Sequence, residues 1–332
     1  MLTDRGMAST QKTRIPLIMG TMTIGNEGAF GSRIHDLGTA QKVIDVFRSH
    51  GHTELDTARL YGDGTTEEML SKLDCSGLSI DSKCFPVKPG DHKPDRLRAT
   101  LDKSLDALNV PKLRVFYLHA PDRSVPFEET LKACDALYRQ GKFTELGLSN
   151  FAAWEVAIIW GICDKNGYVK PTIYQGMYNA ITRSIETELF PCCRSLGIRL
   201  VLYNPLAGGF FAGKITKPDD QIEPGGRFDP SHRQGVMYRE RYFRDSYFKA
   251  LEILKASLKG YPDTTLVSVA ARWLQHHSAL KPEDGIIFGA SSVDQIEMNC
   301  TKSEEGPLPE DILAAVDLSW EIVKSECPSY WR

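Results

Sequence analysis

At 332 residues, with 25% charged and 42% hydrophobic side chains, the chain can bury a large core and is not disordered, collagenous or coiled coil in composition. Forty basic residues against 43 acidic ones leave a formal charge of −3, so no surface is built to wrap a polyanion such as nucleic acid. No run approaches the roughly 20 apolar residues of a membrane helix, and the opening MLTDRGMASTQKTRIPLIMG holds no signal-peptide core, so a cytoplasmic protein is expected.

The first predicted strand covers 15–21 and is followed by a helical pattern over 39–50. Strands at 53–57 and 79–84 come next, then a helix over 93–108 in which Leu97, Leu101, Leu105 and Leu108 make one stripe at helical spacing. The alternation continues with strand 115–119, helix 127–140, strand 144–149, helix 152–166, strand 172–178, helix 185–196 and strand 199–204. Helices over 247–258 and 266–276, a strand at 285–290 and a last helix over 309–324 complete it. Several strands are nearly continuous apolar runs (VFYLHA, IRLVLYN, GIIFGA), as expected of parallel strands covered on both faces.

Eight strands, each followed by a helical pattern, predict a single-domain (β/α)8 barrel over 14–332, preceded by a tail over 1–13. One long loop, 207–245, breaks the rhythm, and a loop of that length in a compact domain is usually functional. Within it, MYRERYFRD also reads as an exposed helix with ion pairs. The eight cysteines, Cys75, Cys84, Cys134, Cys163, Cys192, Cys193, Cys300 and Cys327, contain no C-x-x-C pair and read as reduced, mostly core-filling thiols. The adjacent Cys192 and Cys193 read as helix packing more readily than as a redox switch.

In a barrel of this kind chemistry sits where the strands end. The second strand ends in ELDTARLYGDG, with Asp56 and Tyr61; the third in DSKCF, with Lys83; the fourth in FYLHAPD, with His119. Taken singly, these could be a turn cap, rim packing, a solvated lysine and a core histidine. Together they converge from three neighbouring strands. A free tyrosine, with a pKa of about 10, is a poor acid or base at pH 7. A nearby ammonium lowers that value, and a carboxylate keeps the ammonium charged and fixed. A histidine beside them can hold a carbonyl oxygen, so the four could protonate an alkoxide as a hydride reaches its carbon.

The strings LDTARLYGDG, SKCFP and FYLHAPD resemble the catalytic tetrad regions of the aldo-keto reductases. GLSNFAAWEV, YQGMYNAITRSIETELFPCCR, YNPLAGGFFAGK, MYRERY and ECPSYWR resemble the branch that reduces aflatoxin aldehyde and succinic semialdehyde, over roughly residues 14 to 332. The resemblance implies NADPH, no metal, and reduction of aldehydes or reactive ketones, with Tyr61 as proton donor, Lys83 and Asp56 tuning it, and His119 orienting the carbonyl. It further implies that Ser149, Asn150 and Gln175 bind the nicotinamide carboxamide and that Tyr203 stacks on the ring. The segment from Asn204 through Leu206 and Gly208 to Lys214 has small residues where backbone can approach a pyrophosphate.

Ser291 and Ser292 open a short helix after the eighth strand, a ready anion site for an adenosine 2′-phosphate as well as an ordinary cap. By the same resemblance Arg227 contacts the cofactor phosphate, Gln295 and Asn299 the adenosine, and Tyr238, Arg241 and Arg332 a substrate carboxylate, an anion that the planar fork of arginine pairs with bidentately. Met298 stands where the family usually has Glu or Gln. Asp294, the one carboxylate near the helix start, is expected to point outward. The C-terminal tail is expected over the active site, and the branch implies a homodimer. A barrel that binds NADPH and signals, like potassium-channel β-subunits, is the alternative; the complete tetrad favours an enzyme. Two other patterns lack context. Tyr138 and Lys142 match a Y-x-x-x-K spacing, but Gly141 should end their helix, and GNEGAFG at 25–31 is no dinucleotide fingerprint.

Overall fold

The computed structural model describes residues 12–222 and 225–332, so nearly all of the expected tail over 1–13 lies outside the described residues. Strands β1 (Leu17–Gly20), β2 (Glu54–Asp56), β3 (Ser79–Cys84), β4 (Leu113–Leu118), β5 (Phe143–Ser149), β6 (Pro171–Met177), β7 (Arg199–Tyr203) and β8 (Gly285–Gly289) close in sequence order into an all-parallel barrel. This is the (β/α)8 fold expected from the apolar strand runs.

The helices form an outer ring: α1 (Leu37–Ser49), α2 (Thr65–Leu70), α3 (Pro94–Leu108), α4 (Phe127–Arg139), α5 (Ala153–Asn166) and α6 (Leu189–Ser195) follow the first six strands. Between β7 and β8 lie α7 (Arg233–Tyr242), α8 (Asp245–Ser257) and α9 (Leu266–His276), and α10 (Val293–Glu304) and α11 (Glu310–Val323) complete the chain, with α11 packed on α8. The helix starts are set by local chemistry: Asp36 accepts from Thr39 N at 2.7 Å, Pro94 occupies the first turn of α3, and Thr265 accepts from Ser268 N. Asn109 ends α3 in the left-handed region, and the stripe Leu97, Leu101, Leu105 and Leu108 is buried against the strands. The segment 207–245 is not loop alone: it holds a 3-10 turn, Ala207–Ala212, and α7. Helix α4 stops at Arg139, Gly141 has φ +74°, and Lys142 lies beyond the helix bound to Asp102, so Tyr138 and Lys142 share no helical face.

Inside the barrel Ile18, Val115, Tyr117, Ile173, Val201 and Ile287 form a closed apolar layer. Below it, at the N-terminal end of the strands, Arg114 binds Glu54 at 2.6 Å and also Asp81, while Arg199 binds Glu54 at 3.0 Å. Burial pushes the Asp81 carboxyl up to about 7 despite the Arg114 guanidinium beside it. All eight cysteines are free. Cys192 and Cys193 both lie in α6, where burial raises each thiol above its ordinary value, which keeps them from thiolate chemistry.

Candidate active site

The four tetrad candidates meet at the C-terminal mouth. Asp56 ends β2, Lys83 precedes the end of β3, His119 follows β4, and Tyr61 opens the 3-10 turn Tyr61–Gly64, whose Asp63 has φ +53°. The Lys83 side chain is wholly buried; its Nζ donates to Asp56 Oδ2 at 2.7 Å and to the Thr57 carbonyl at 2.7 Å. Gln175 Nε2 donates to the other Asp56 oxygen at 2.7 Å, so both carboxylate oxygens are engaged. The ammonium lies 5.1 Å from the centre of the Tyr61 ring, and the Tyr61 and His119 rings meet edge to face at 6.0 Å.

The electrostatics follow from this packing. Burial raises the Tyr61 phenol above its ordinary value, with Asp56 and Tyr203 adding to the rise; Lys83 pulls it back only in part. The expectation that the ammonium would leave the phenol lowered is therefore corrected, because exclusion of water outweighs it. Burial alone would lower Lys83, yet Asp56 and Tyr61 hold its ammonium above the usual lysine value. Burial, Lys83 and Arg332 together depress His119 well below its ordinary value, so its ring is neutral at pH 7.

Around the tetrad, Asn150 Nδ2 donates to the His119 carbonyl at 2.8 Å and to Ser149 Oγ at 2.9 Å, and its Oδ1 accepts from the Tyr203 hydroxyl at 2.9 Å. At the end of β7, Asn204 Nδ2 donates to Tyr242 Oη at 2.6 Å, and its buried Oδ1 has no partner among the described residues. Leu206 is half-buried and Lys214 exposed. Gly208 has φ +70°, and a Cβ there would lie 2.4 Å from the Tyr238 ring, so only glycine fits. Arg227 donates to Tyr238 Oη at 3.1 Å and reaches β8, its Nη2 lying 3.5 Å from where a Gly289 Cβ would be.

The start of α10 is closed on itself: Ser292 caps Gln295 N at 3.3 Å, and Gln295 Oε1 accepts from Ser291 N at 2.8 Å and Ser291 Oγ at 3.0 Å. Asn299 donates to the Gly289 carbonyl at 3.3 Å and keeps a buried Oδ1 without a partner among the described residues. Asp294 is exposed and Met298 half-buried. A guanidinium, a serine-capped helix start and an orphaned amide oxygen thus gather at the end of β8, donors that suit a phosphate and an acceptor that suits an adenine amine.

At the mouth Arg241 lies over the Tyr238 ring at 5.4 Å and beside Tyr203, and Arg332 lies 5.8 Å from the centre of Phe85. Among the described residues neither arginine forms an ion pair with a carboxylate. Sequence reasoning missed Phe85, which meets His119 edge to face at 5.4 Å; its place two residues after Lys83 was the available signal. It also missed what holds the tail: Tyr330 Oη donates to Glu188 at 2.7 Å and accepts from Ala153 N at 3.1 Å, and Arg332 N donates to the Asn150 carbonyl at 3.0 Å.

A barrel whose strand ends gather a buried Lys–Asp pair, a tyrosine and a neutral histidine is the framework of a carbonyl oxidoreductase, and residues 16–321 match the profile of the aldo/keto reductase family. The chain belongs to that family. It is 42% identical to human aldo-keto reductase family 7 member A3, over 97% of this chain and 98% of that protein. It is 42% identical to human aflatoxin B1 aldehyde reductase member 2, covering 98% and 92% of the two chains, and 40% identical to aldo-keto reductase pigE of Monascus ruber, covering 97% and 98%. The protein is thus an oxidoreductase of the aldo-keto reductase class, which acts on small carbonyl compounds with a nicotinamide cofactor. Among the described residues no helix is long and apolar enough to cross a membrane.

Proposed function

We propose that the protein reduces aldehydes to alcohols with NADPH, Tyr61 delivering the proton, and that aldehydes bearing a carboxylate are favoured substrates. The observation that carries this reading is the wholly buried Lys83–Asp56 pair at 2.7 Å with the Tyr61 ring above it and the neutral His119 beside it. The cofactor, when bound, supplies the hydride. Ser149, Asn150, Gln175 and Tyr203 would hold its nicotinamide end, Asn204, Leu206, Gly208 and Lys214 its pyrophosphate, and Arg227, Ser291, Gln295 and Asn299 its adenosine phosphate end.

The chain's own residues then have defined tasks. Tyr61, its phenol raised by burial, keeps its proton at neutral pH and gives it to the oxygen of the carbonyl as charge builds there. Lys83 stabilises the phenolate that remains, and Asp56 holds Lys83 in place. His119, neutral, donates a hydrogen bond from its ring that orients the carbonyl. Tyr238, Arg241 and Arg332 would receive a substrate carboxylate, a role supported by the two mouth arginines having no carboxylate partner among the described residues. Residues 14–332 act as one domain, with the last residues lying over the mouth.

NADPH consumption with a nitrobenzaldehyde tests the proposal. Tyr61→Phe should lower kcat by at least about 10²-fold, the usual scale for a general acid, with NADPH affinity little changed. Near-wild-type turnover of the variant would remove Tyr61 from the donor role, and equal kcat/KM for NADPH and NADH would remove the 2′-phosphate site.

A further inference from the structure

Directly below the tetrad lies Tyr117, which the proposed function leaves unused. Strand register sets Lys83 opposite Tyr117 and Tyr117 opposite Gly147, one row across β3, β4 and β5. The Tyr117 ring belongs to the interior layer, and its centre is 5.8 Å from Lys83 Nζ, a second aromatic face for the ammonium besides Tyr61. It extends over Gly147, where a Cβ would come within 2.2 Å of a ring carbon; any larger residue would push the ring away. The Tyr117 hydroxyl is buried and has no hydrogen-bond partner among the described residues, so the ring is held by packing and not by its oxygen.

Lysine carries its charge on a flexible four-carbon stem. Two directed acceptors fix Lys83, Asp56 Oδ2 and the Thr57 carbonyl, but Asp81 stands two residues earlier on the same strand and also attracts the ammonium. The Tyr117 ring fills the interior layer between the mouth and the barrel floor that holds Asp81. The groups facing Lys83 and Tyr61 are then Asp56 from β2, Glu67 from α2, Asp81 from β3, Tyr117 and His119 from β4, and Tyr203 from β7.

We propose that Tyr117 is a positioning residue for proton delivery: its ring, seated against the bare Gly147, is the floor that keeps the Lys83 ammonium on Asp56 and beneath Tyr61. The proposal rests on the reading that Tyr61 is the proton donor and Lys83 its partner. An ammonium over a desolvated ring is attracted by the negative face of that ring, so removing the ring both loosens the charge and weakens its pull on Tyr61.

Tyr117→Leu and Gly147→Ala test this in the full chain with NADPH and a nitrobenzaldehyde. Both should lower kcat by about five- to thirtyfold, the rate equivalent of losing a desolvated cation–π contact, with aldehyde KM and NADPH affinity within about twofold. Both should also move the alkaline fall of kcat upward by about half a pH unit or more, because a looser ammonium lowers the phenol less. Tyr117→Phe, which keeps the ring, should restore the rate and the pH profile. Wild-type kcat and pH profile in Tyr117→Leu would overturn the proposal, as would a Phe variant as impaired as the Leu variant. If Tyr117→Leu does not fold, Gly147→Ala decides by the same readouts. Undiminished turnover in Tyr61→Phe would instead sink the underlying donor reading, so the two failures are distinguishable.

Discussion

Replacing Asp56 by Asn tests whether the site is built on a buried charge pair. Each Asp56 oxygen accepts one hydrogen bond, from Lys83 Nζ and from Gln175 Nε2, both at 2.7 Å. Asn keeps the size and one oxygen. With that oxygen on Lys83, its amide N–H faces Gln175 donor to donor, and the charge opposite the ammonium is gone. Removing one partner of a buried pair costs about 3–5 kcal/mol. At about 2.1 cal/mol/K per residue, 332 residues unfold with about 0.7 kcal/mol/K, so Tm should fall by about 4–7 °C at neutral pH.

The pH dependence has a definite sign. In the wild type the folded Lys83 value is raised, so its contribution is present below the ordinary lysine value and is lost only as pH rises through the raised one. In Asp56→Asn burial acts unopposed by that carboxylate and depresses the folded value; the unfolded chain then binds the proton more tightly, and the variant regains stability as pH rises from neutral toward the ordinary lysine value of about 10. Thermal melts across that range, with kcat on an aldehyde expected to fall about 10–100-fold, make the check. A variant melting within about 1 °C of wild type at pH 7 would refute the buried-pair argument, since even the low end of the cost exceeds that shift.

The proposed carboxylate-binding role of Arg241 and Arg332 predicts charge selectivity. Arg241→Ala or removal of Arg332 should raise KM for succinic semialdehyde by roughly ten- to a hundredfold, the value of a charge-assisted hydrogen bond of about 1.5–3 kcal/mol, and leave an uncharged aldehyde of similar length largely unaffected. Equal losses for both aldehydes would assign these arginines to packing or the cofactor. At the barrel floor, Asp81 is raised from 3.8 to about 7, so the folded state holds that proton more tightly and the group costs stability progressively as pH rises from about 4 to about 7. Asp81→Asn should therefore gain Tm relative to wild type between about pH 4 and 7; a constant difference over that range would contradict the assignment.

The barrel was legible because its strands are covered on both faces, so VFYLHA, IRLVLYN and GIIFGA stand out as apolar runs whatever their neighbours are. The tetrad positions were legible for a related reason: a polar residue where such a run stops has few places to go except the mouth. Helix α2 was not, since Thr65–Leu70 is under two turns and shows no period, and of α7 only the MYRERY half showed, as one of two readings of that string, in a segment mixing Gly, Arg and Asp. Contacts made across the barrel were out of reach in principle. Nothing local in the sequence tells that Gln175 engages Asp56, 119 residues away, or that Gly147 leaves room for Tyr117.

The sign of the Tyr61 shift belongs to the same class, and it bears on mechanism. From residue types alone the ammonium wins and the phenol is lowered; in the fold, exclusion of water wins and the phenol is raised. For a reductase the second outcome is the useful one. A proton donor must be protonated before the reaction, and a phenol lowered to neutrality would spend much of its time as phenolate. With Tyr61 as the donor, as proposed above, Lys83 would act mainly on the product side of the proton transfer, where the phenolate it faces carries full charge and its attraction is strongest. On that proposal the pair would stabilise the state that follows proton donation more than the state that precedes it, which is the condition for catalysis.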